Sequence, residues 1–258
     1  MKLGVIYCSY GMSDLISGSL QPWVKAKERH EIGIFAVSSP FKEFPYQKDY
    51  DSHKVLNEYL DNGSLEYLYT KINKEDLEYE HVVRDYALQQ ILQRDYDYVL
   101  LVDGDEEYTQ DEIDNLFEFV EKNKLVTWFR IEFKNLTFST YTYTTGFRPP
   151  RLFRINNGQF KLNRFVWDND VTYINTLAKN EAEYKSFSSI LIPIKLVNPL
   201  HYTWLNDERS KNKIEYQEIH FGLGSGCSFK WNKDKNILEW NDEFFEKTGQ
   251  SKPELLNI

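Results

Sequence analysis

Cysteine is scarce in this chain: Cys8 and Cys227 are the only two among 258 residues. Two thiols give no disulfide framework and no zinc-binding spacing, which points to a reducing compartment. Long apolar runs are also missing. The strand that follows Met1-Lys2 is too short for the apolar centre of a signal peptide, and no stretch approaches a membrane span. The expectation is a soluble, cytoplasmic protein with no transmembrane segment, peripheral membrane attachment being left open. An excess of basic charge is lacking too, with 31 Lys and Arg against 40 Asp and Glu, a formal net charge of −9. General nucleic-acid binding needs a basic footprint and is excluded on that ground. Internal repeats and low-complexity runs are absent.

Aromatic residues are plentiful instead. They make up 16% of the chain, with 18 Tyr and six Trp. Such side chains line sugar and base sites, but they also fill cores, and singly each is read as packing. The length suits one large domain, or one domain with an appendage.

The first half alternates short apolar runs with helical periodicity. Leu3 to Tyr7 reads as a strand, Cys8 to Gly11 as a turn, and Ser13 or Asp14 as the cap of a helix reaching Lys27. Glu31 to Val37 and Leu65 to Ile72 read as further strands. Glu78 to Arg94 is the clearest helix, with Val82, Val83, Tyr86, Ala87, Ile91 and Leu92 at helical spacing. Tyr96 to Val102 is the next strand, and Thr109 with Glu112 forms a capping-box pattern. Strand and helix in alternation predict a mainly parallel sheet covered by helices, an α/β fold. The second half is richer in strand signals: Val126 to Phe133, Phe138 to Thr144, Phe160 to Val166, Val171 to Ile174 and Ile190 to Leu196. Asn156-Asn-Gly158 marks a hairpin turn. Asp207 to Ile219 reads as a basic helix, and Cys227 to Ile258 as a tail or small cap. The expected organisation is a domain over 1–225, with an alternating strand–helix half at 1–125 and a smaller, mixed-strand half at 126–225, followed by an extension or cap at 226–258.

The most informative segment is Val99-Leu-Leu-Val-Asp-Gly-Asp-Glu106. A buried strand ends in an acidic turn. Residues two apart on a strand face the same way, so Asp103 and Asp105 can address one target, while Gly104 lets the backbone bend or a ligand approach. Converging carboxylates repel unless a cation separates them. A divalent ion that bridges to substrate phosphates is the natural occupant. Open α/β sheets bind their ligands at this end of their strands.

Four segments together resemble glycosyltransferase family 2, of the GT-A fold with a DxD motif. They are Val5-Ile-Tyr-Cys-Ser9; Val83-Arg-Asp-Tyr-Ala87; Asp103-Gly-Asp-Glu106; and Pro150-Arg-Leu-Phe-Arg154 followed by Phe165-Val-Trp-Asp168 and His201. The match covers about residues 1–220. The chain departs from the family pattern at Ser38-Ser39, where an acidic pair is usual, at Asp85, where Asn is common, and at Trp167-Asp168, where His-Glu is common.

The resemblance implies a metal-dependent, inverting hexosyltransferase that moves a sugar from a nucleotide-diphosphate donor, UDP favoured, to a carbohydrate or glycosylated acceptor. Asp105 would ligate Mn²⁺ or Mg²⁺, and His201 would be a further ligand. Asp103 would touch the ion's water shell or the ribose. Ser9 and Arg84 would contact the donor, and Lys213, with Arg209 and Lys211, could close over the diphosphate. Asp168 is the first choice of general base and Asp170 the second. Blander readings stand beside these. His201 can be a packed histidine, Arg84 a surface partner of Glu80, Lys213 part of a solvated face, and Asp168-Asn-Asp170 a turn. Two other functions compete. A nucleotidyltransferase would want a basic, Gly-rich first loop, which Cys8 to Met12 lacks; a noncatalytic sugar-binding module on the same scaffold is the other.

Overall fold

Leu3, Val5, Ile6 and Tyr7 are all fully buried, the mark of a strand covered on both faces. They lie in β1 (Lys2–Cys8) of a computed structural model that describes residues 1–42, 51–71, 75–155, 162–166, 172–176, 189–205, 210–211, 213–214 and 228–258. In chain order α1 (Ile16–Ala26), β2 (Glu31–Ser38), α2 (Ser52–Asp61), β3 (Tyr67–Thr70), α3 (Glu80–Leu92) and β4 (Tyr98–Asp103) follow. Next come β5 (Glu106–Glu107), α4 (Gln110–Lys122), β6 (Trp128–Arg130), β7 (Lys134–Phe138), β8 (Thr142–Thr144) and β9 (Pro150–Arg154). The remaining elements are β10 (Asn163–Val166), β11 (Thr172–Thr176), β12 (Ser189–Leu191), β13 (Leu200–Leu205), β14 (Phe229–Asn232), β15 (Ile237–Trp240), α5 (Asp242–Thr248) and β16 (Leu256–Asn257). The chain divides into two units, one of 1–132 with 148–199 and one of 133–147 with 200–258.

The first unit carries a seven-stranded sheet in the order β12-β6-β9-β4-β1-β2-β3. β3, β2, β1 and β4 are parallel. β9 runs antiparallel between β4 and β6, and β12 is parallel to β6. The expected α/β fold, a mainly parallel sheet flanked by helices, is what forms. The chain steps outward from β1 to β2 and β3, then crosses back to place β4 on the other side of β1. The carboxyl ends of β1 and β4 therefore flank a topological switch point.

Helices lie on both faces. α3 sets Val83, Ala87, Leu88 and Ile91 against Ile6, Phe35, Val37, Val99 and Leu101. Burying each such aliphatic side chain contributes about 1.5–3 kcal/mol. On the opposite face Tyr7 Oη lies 2.6 Å from Ser19 Oγ of α1. The capping box at Thr109 and Glu112 starts α4 as expected.

Several boundaries differ from expectation. α1 begins at Ile16 with Leu15 at its cap position and no side-chain cap, so neither Ser13 nor Asp14 starts it. The segment Phe138 to Thr144 is two strands rather than one. Phe138 has φ +64°, Ser139 Oγ accepts from Tyr141 N at 3.2 Å, and β7 and β8 pair antiparallel. Ser139 and Thr142 hydroxyls that bond locally compete with a continuous strand. β12 stops at Leu191 because Pro193 begins a turn closed by Leu196 N on Pro193 O at 2.8 Å. Asn156 to Gly158 lies outside the described residues.

In the second unit β16, β8, β7 and β13 lie side by side, β7 and β13 being parallel. Cys227 to Ile258, expected as a tail or cap, contains more order than that within its described part: the β14–β15 hairpin, α5, and β16, which adds a strand to β8. Phe229, Leu238 and Ile214 form the unit's own small core, with Phe138, Trp204, Trp231 and Trp240 against it. Aromatic residues supply most of this packing.

Gly33, inside β2, sits where a side chain cannot. A Cβ there would fall 1.9 Å from Tyr96 Oη and 2.7 Å from its Cζ. Gly33→Ala is expected to lower unfolding free energy by about 1–3 kcal/mol through overpacking, and Tyr96→Leu in the same chain should recover part of the loss. Urea denaturation of the single and double variants measures this; equal losses with and without Tyr96 would refute the clash.

Candidate functional site at the carboxyl edge of the sheet

β4 is apolar up to Val102 and then turns charged, and its end is stitched to β1. Cys8 and Asp103 are register partners, and Gly104 N donates to Cys8 O at 2.7 Å. Ser9 N donates to Val37 O of β2 at 3.0 Å. Gly104 lies so close to Ser9 that a Cβ would meet Ser9 Oγ at 2.6 Å and its Cβ at 2.7 Å. Glycine is needed at 104 for this close approach of two backbones.

Four charged side chains converge on this corner. Arg84, on α3, is 3% exposed, and its Nη2 lies 2.5 Å from Glu80 Oε1 and 2.5 Å from Asp103 Oδ1. Arg151, on β9, donates through Nη2 to Asp103 Oδ2 at 2.9 Å and also pairs with Glu106. Glu106 is fully buried, and its Oε2 accepts the backbone N–H of Asp103 at 3.2 Å. The Asp103 carboxylate therefore lies between two guanidiniums, and Glu106 braces the turn from within. Among the described residues Arg84 Nε and Nη1 are buried with no hydrogen-bond partner, so two donors remain in the corner.

Burial sets the titration of these groups. It pushes Glu106 up to about 8, the Arg151 guanidinium pulling the other way while Asp103 and Asp105 add to the rise. It pushes the Cys8 thiol up to about 12 against the pull of Arg84, so Cys8 is a neutral packed group and no nucleophile. Burial works against the charge of Arg84, but the nearby anions, Asp103 foremost, outweigh it and hold its pKa well above the ordinary value.

The sequence candidates distribute unevenly. Ser9, Arg84, Asp103 and Asp105 all belong to the first unit, at the carboxyl ends of β1 and β4 and on the facing α3. Arg84 does pair with Glu80, but as a buried group rather than a surface one. His201 and Lys213 belong to the second unit. His201 is 8% exposed on β13, with Nδ1 2.8 Å from Asn135 Oδ1 and its ring stacked on Phe147 at 5.4 Å. Lys213 Nζ sits 4.7 Å from the centre of the Trp204 ring. Asp168, Asp170 and Arg209 lie outside the described residues. Arg148 pairs with Glu132 at 2.7 Å, and Arg154 donates to Lys124 O at 2.9 Å. From the sequence Arg151 reads as positioning an acceptor loop or pairing with surplus acids, and Glu106 as touching an ion's water shell or starting the next turn; the structure brings the two together in this corner. An arginine set between Pro150 and the apolar pair Leu152-Phe153 was the available signal, since a buried charge demands a partner.

The donor set decides how a divalent cation would fit. Both Asp103 oxygens already face guanidinium groups within 2.9 Å, so Asp103 does not fit as a direct ligand. Asp105, half-buried on the same turn, is the carboxylate suited to that role. Among the described residues no group of three or more His, Cys, Asp and Glu side chains is arranged to hold an ion.

The Glu106 shift gives a stability prediction. The native carboxyl keeps its proton to about pH 8, whereas in the unfolded chain it loses it near its ordinary 4.5. Between those values the native state binds the extra proton, so stability is fullest below 4.5 and falls as pH rises towards 8. Relative to Glu106→Gln, the wild type should lose about 1.4 kcal/mol per pH unit across this window. Urea titrations at several pH values measure the difference; parallel curves would contradict it.

No family model and no curated protein matches the sequence. Among solved structures, one of S. aureus TarS is similar at 16% identity over 60% of this chain and 28% of that chain, with a TM-score of 0.40. S. aureus TarS 1-349 in complex with UDP-GlcNAc gives 16% identity, 60% and 45% coverage and a TM-score of 0.41. S. aureus TarS 1-349 gives 14% identity over 85% of this chain and 64% of that chain, with a TM-score of 0.47. The chain thus spans less than two thirds of each of these structures.

Proposed function

We propose that the chain is a glycosyltransferase that takes a sugar from a nucleotide-diphosphate donor at the carboxyl edge of β1 and β4. One observation carries this reading: Asp103-Gly104-Asp105 ends the central strand beside the topological switch point, over two buried arginines. A site that takes a diphosphate needs positive charge close to a crevice. Arg84, held by Asp103 and Glu80, keeps two guanidinium nitrogens for such a ligand, and Asp105 could hold a divalent cation, Mn²⁺ or Mg²⁺. When bound, such an ion would act as a Lewis acid on the leaving diphosphate.

The protein's own groups have separate tasks in this reading. The Gly104–Ser9 approach gives the donor a flat backbone surface at the strand ends. The two unpartnered Arg84 nitrogens are donors for the ribose or diphosphate. Asp168, with Asp170 as second choice, is the proposed base that deprotonates an acceptor hydroxyl, giving inversion at the transferred carbon. UDP is the favoured nucleotide and a carbohydrate hydroxyl the favoured acceptor. Among the described residues no helix is long and apolar enough to cross a membrane.

Thermal unfolding with UDP-, GDP- and TDP-sugars, with and without Mn²⁺, tests it. A donor that binds only the folded chain should raise the midpoint by several degrees at about a hundredfold excess over its Kd. Asp105→Ala should abolish the Mn²⁺-dependent part of that rise and reduce donor hydrolysis or transfer at least about a hundredfold. Full activity in Asp105→Ala, or no donor response from the wild type, would sink the proposal.

A further inference from the structure

Glu106 and Arg151 close a ring around the acidic turn. Asp103 N donates to Glu106 Oε2 at 3.2 Å, Glu106 Oε1 accepts from Arg151, and Arg151 donates to Asp103 Oδ2 at 2.9 Å. The ring starts and ends on one residue, so it fixes both the backbone and the side chain of Asp103. Beneath it, Gly104 N is held on Cys8 O at 2.7 Å. Residues 103 and 104 are thus tied down, and Asp105, half-buried, follows them directly on the same turn. Glu106 is 0% and Arg151 7% exposed, so both are placed to act on the turn rather than on a ligand.

We infer that Glu106 and Arg151 are positioning residues that lock the Asp103-Gly104 segment and thereby aim Asp105 at the donor. The inference rests on the glycosyltransferase reading above for what Asp105 does, but not for the locking itself. Stability is a weak reason for such an arrangement. Buried ion pairs replaced together by apolar groups of similar volume often leave a fold equally stable or more so. Orientation is a stronger reason, because displacement of a reacting group by about 1 Å costs around a hundredfold in rate.

The test is the double variant Glu106→Leu with Arg151→Met, read in three ways: thermal midpoint, amide hydrogen exchange in a peptide spanning residues 103–108, and turnover of a UDP-sugar with Mn²⁺. The expected result is a folded protein whose turn exchanges at least about tenfold faster. Its kcat should fall at least about tenfold, with donor KM changed less than about threefold. Exchange at the wild-type rate in the folded double variant would overturn the inference. So would fast exchange accompanied by an unchanged kcat. Should the double variant not fold, Arg151→Lys takes its place, with the same exchange difference expected and wild-type exchange again overturning it. A wild type that turns over no donor would remove the glycosyltransferase reading instead, and exchange alone would then decide whether the turn is locked.

Discussion

The structure of the site corner depends on one arrangement, the Asp103 carboxylate held between Arg84 and Arg151. Taking a single charge out of water costs several kcal/mol unless an opposite charge and hydrogen bonds replace the lost hydration. Here the Asp103 carboxylate is matched by two guanidiniums, Glu106 accepts a hydrogen bond from Arg151, and Glu80 provides a further anion to Arg84. Removing any one member would strand its partners in a low-dielectric setting, where a broken buried pair typically costs about 3–5 kcal/mol. The cluster is therefore strongly coupled, and the geometry of the turn after β4 follows from it.

That coupling gives a reason for the odd strand in the sheet. A wholly parallel sheet would bring a strand's amino end beside the amino end of β4. Antiparallel β9 instead brings its amino-terminal residues alongside the carboxyl half of β4, with Leu152 opposite Leu100 and Phe153 opposite Val99. Arg151, one residue before Leu152, thus reaches the charged end of β4. The other arginine arrives by a different route, from the amino-terminal half of α3, which packs on the same strands through Val83 and Ala87. Three elements distant in sequence meet at one turn only because the strand order is β9-β4-β1.

This history explains what could be read in the sequence. Local patterns carry local structure, so the α3 periodicity, the Thr109–Glu112 capping box and the apolar run of β4 were all visible. The Ser139–Thr142 turn was hidden, because its β-branched and aromatic residues carry strand propensity as strongly as their neighbours do. In the site, Asp103 and Asp105 stood out because charge follows apolar residues abruptly. Glu106 looked like one more acidic residue of a turn. Its burial is a tertiary fact, set by Arg151, 45 positions away. His201 was legible as a polar residue within a strand, but its bond to Asn135 and its stacking on Phe147 come from pairing in the second unit.

The same cluster revises what the acidic motif demands. Read as sequence, two carboxylates two residues apart call for an external cation between them. In the folded chain one of the two is already matched by arginines, which are permanently charged and held by packing. In the proposed reading an ion would be held by Asp105 rather than by Asp103. A fixed guanidinium needs no reorganisation when negative charge develops nearby, whereas a hydrated ion must shed water to bind. The corner therefore divides the work: inside, arginines from α3 and β9 matched by Asp103 and Glu80, and on the same turn a second carboxylate, Asp105, as the proposed holder of an exchangeable ion. Asp103 then serves as the anion that allows two arginines to be buried side by side without repelling each other, and Asp105 is left as the residue through which chemistry on a diphosphate would run.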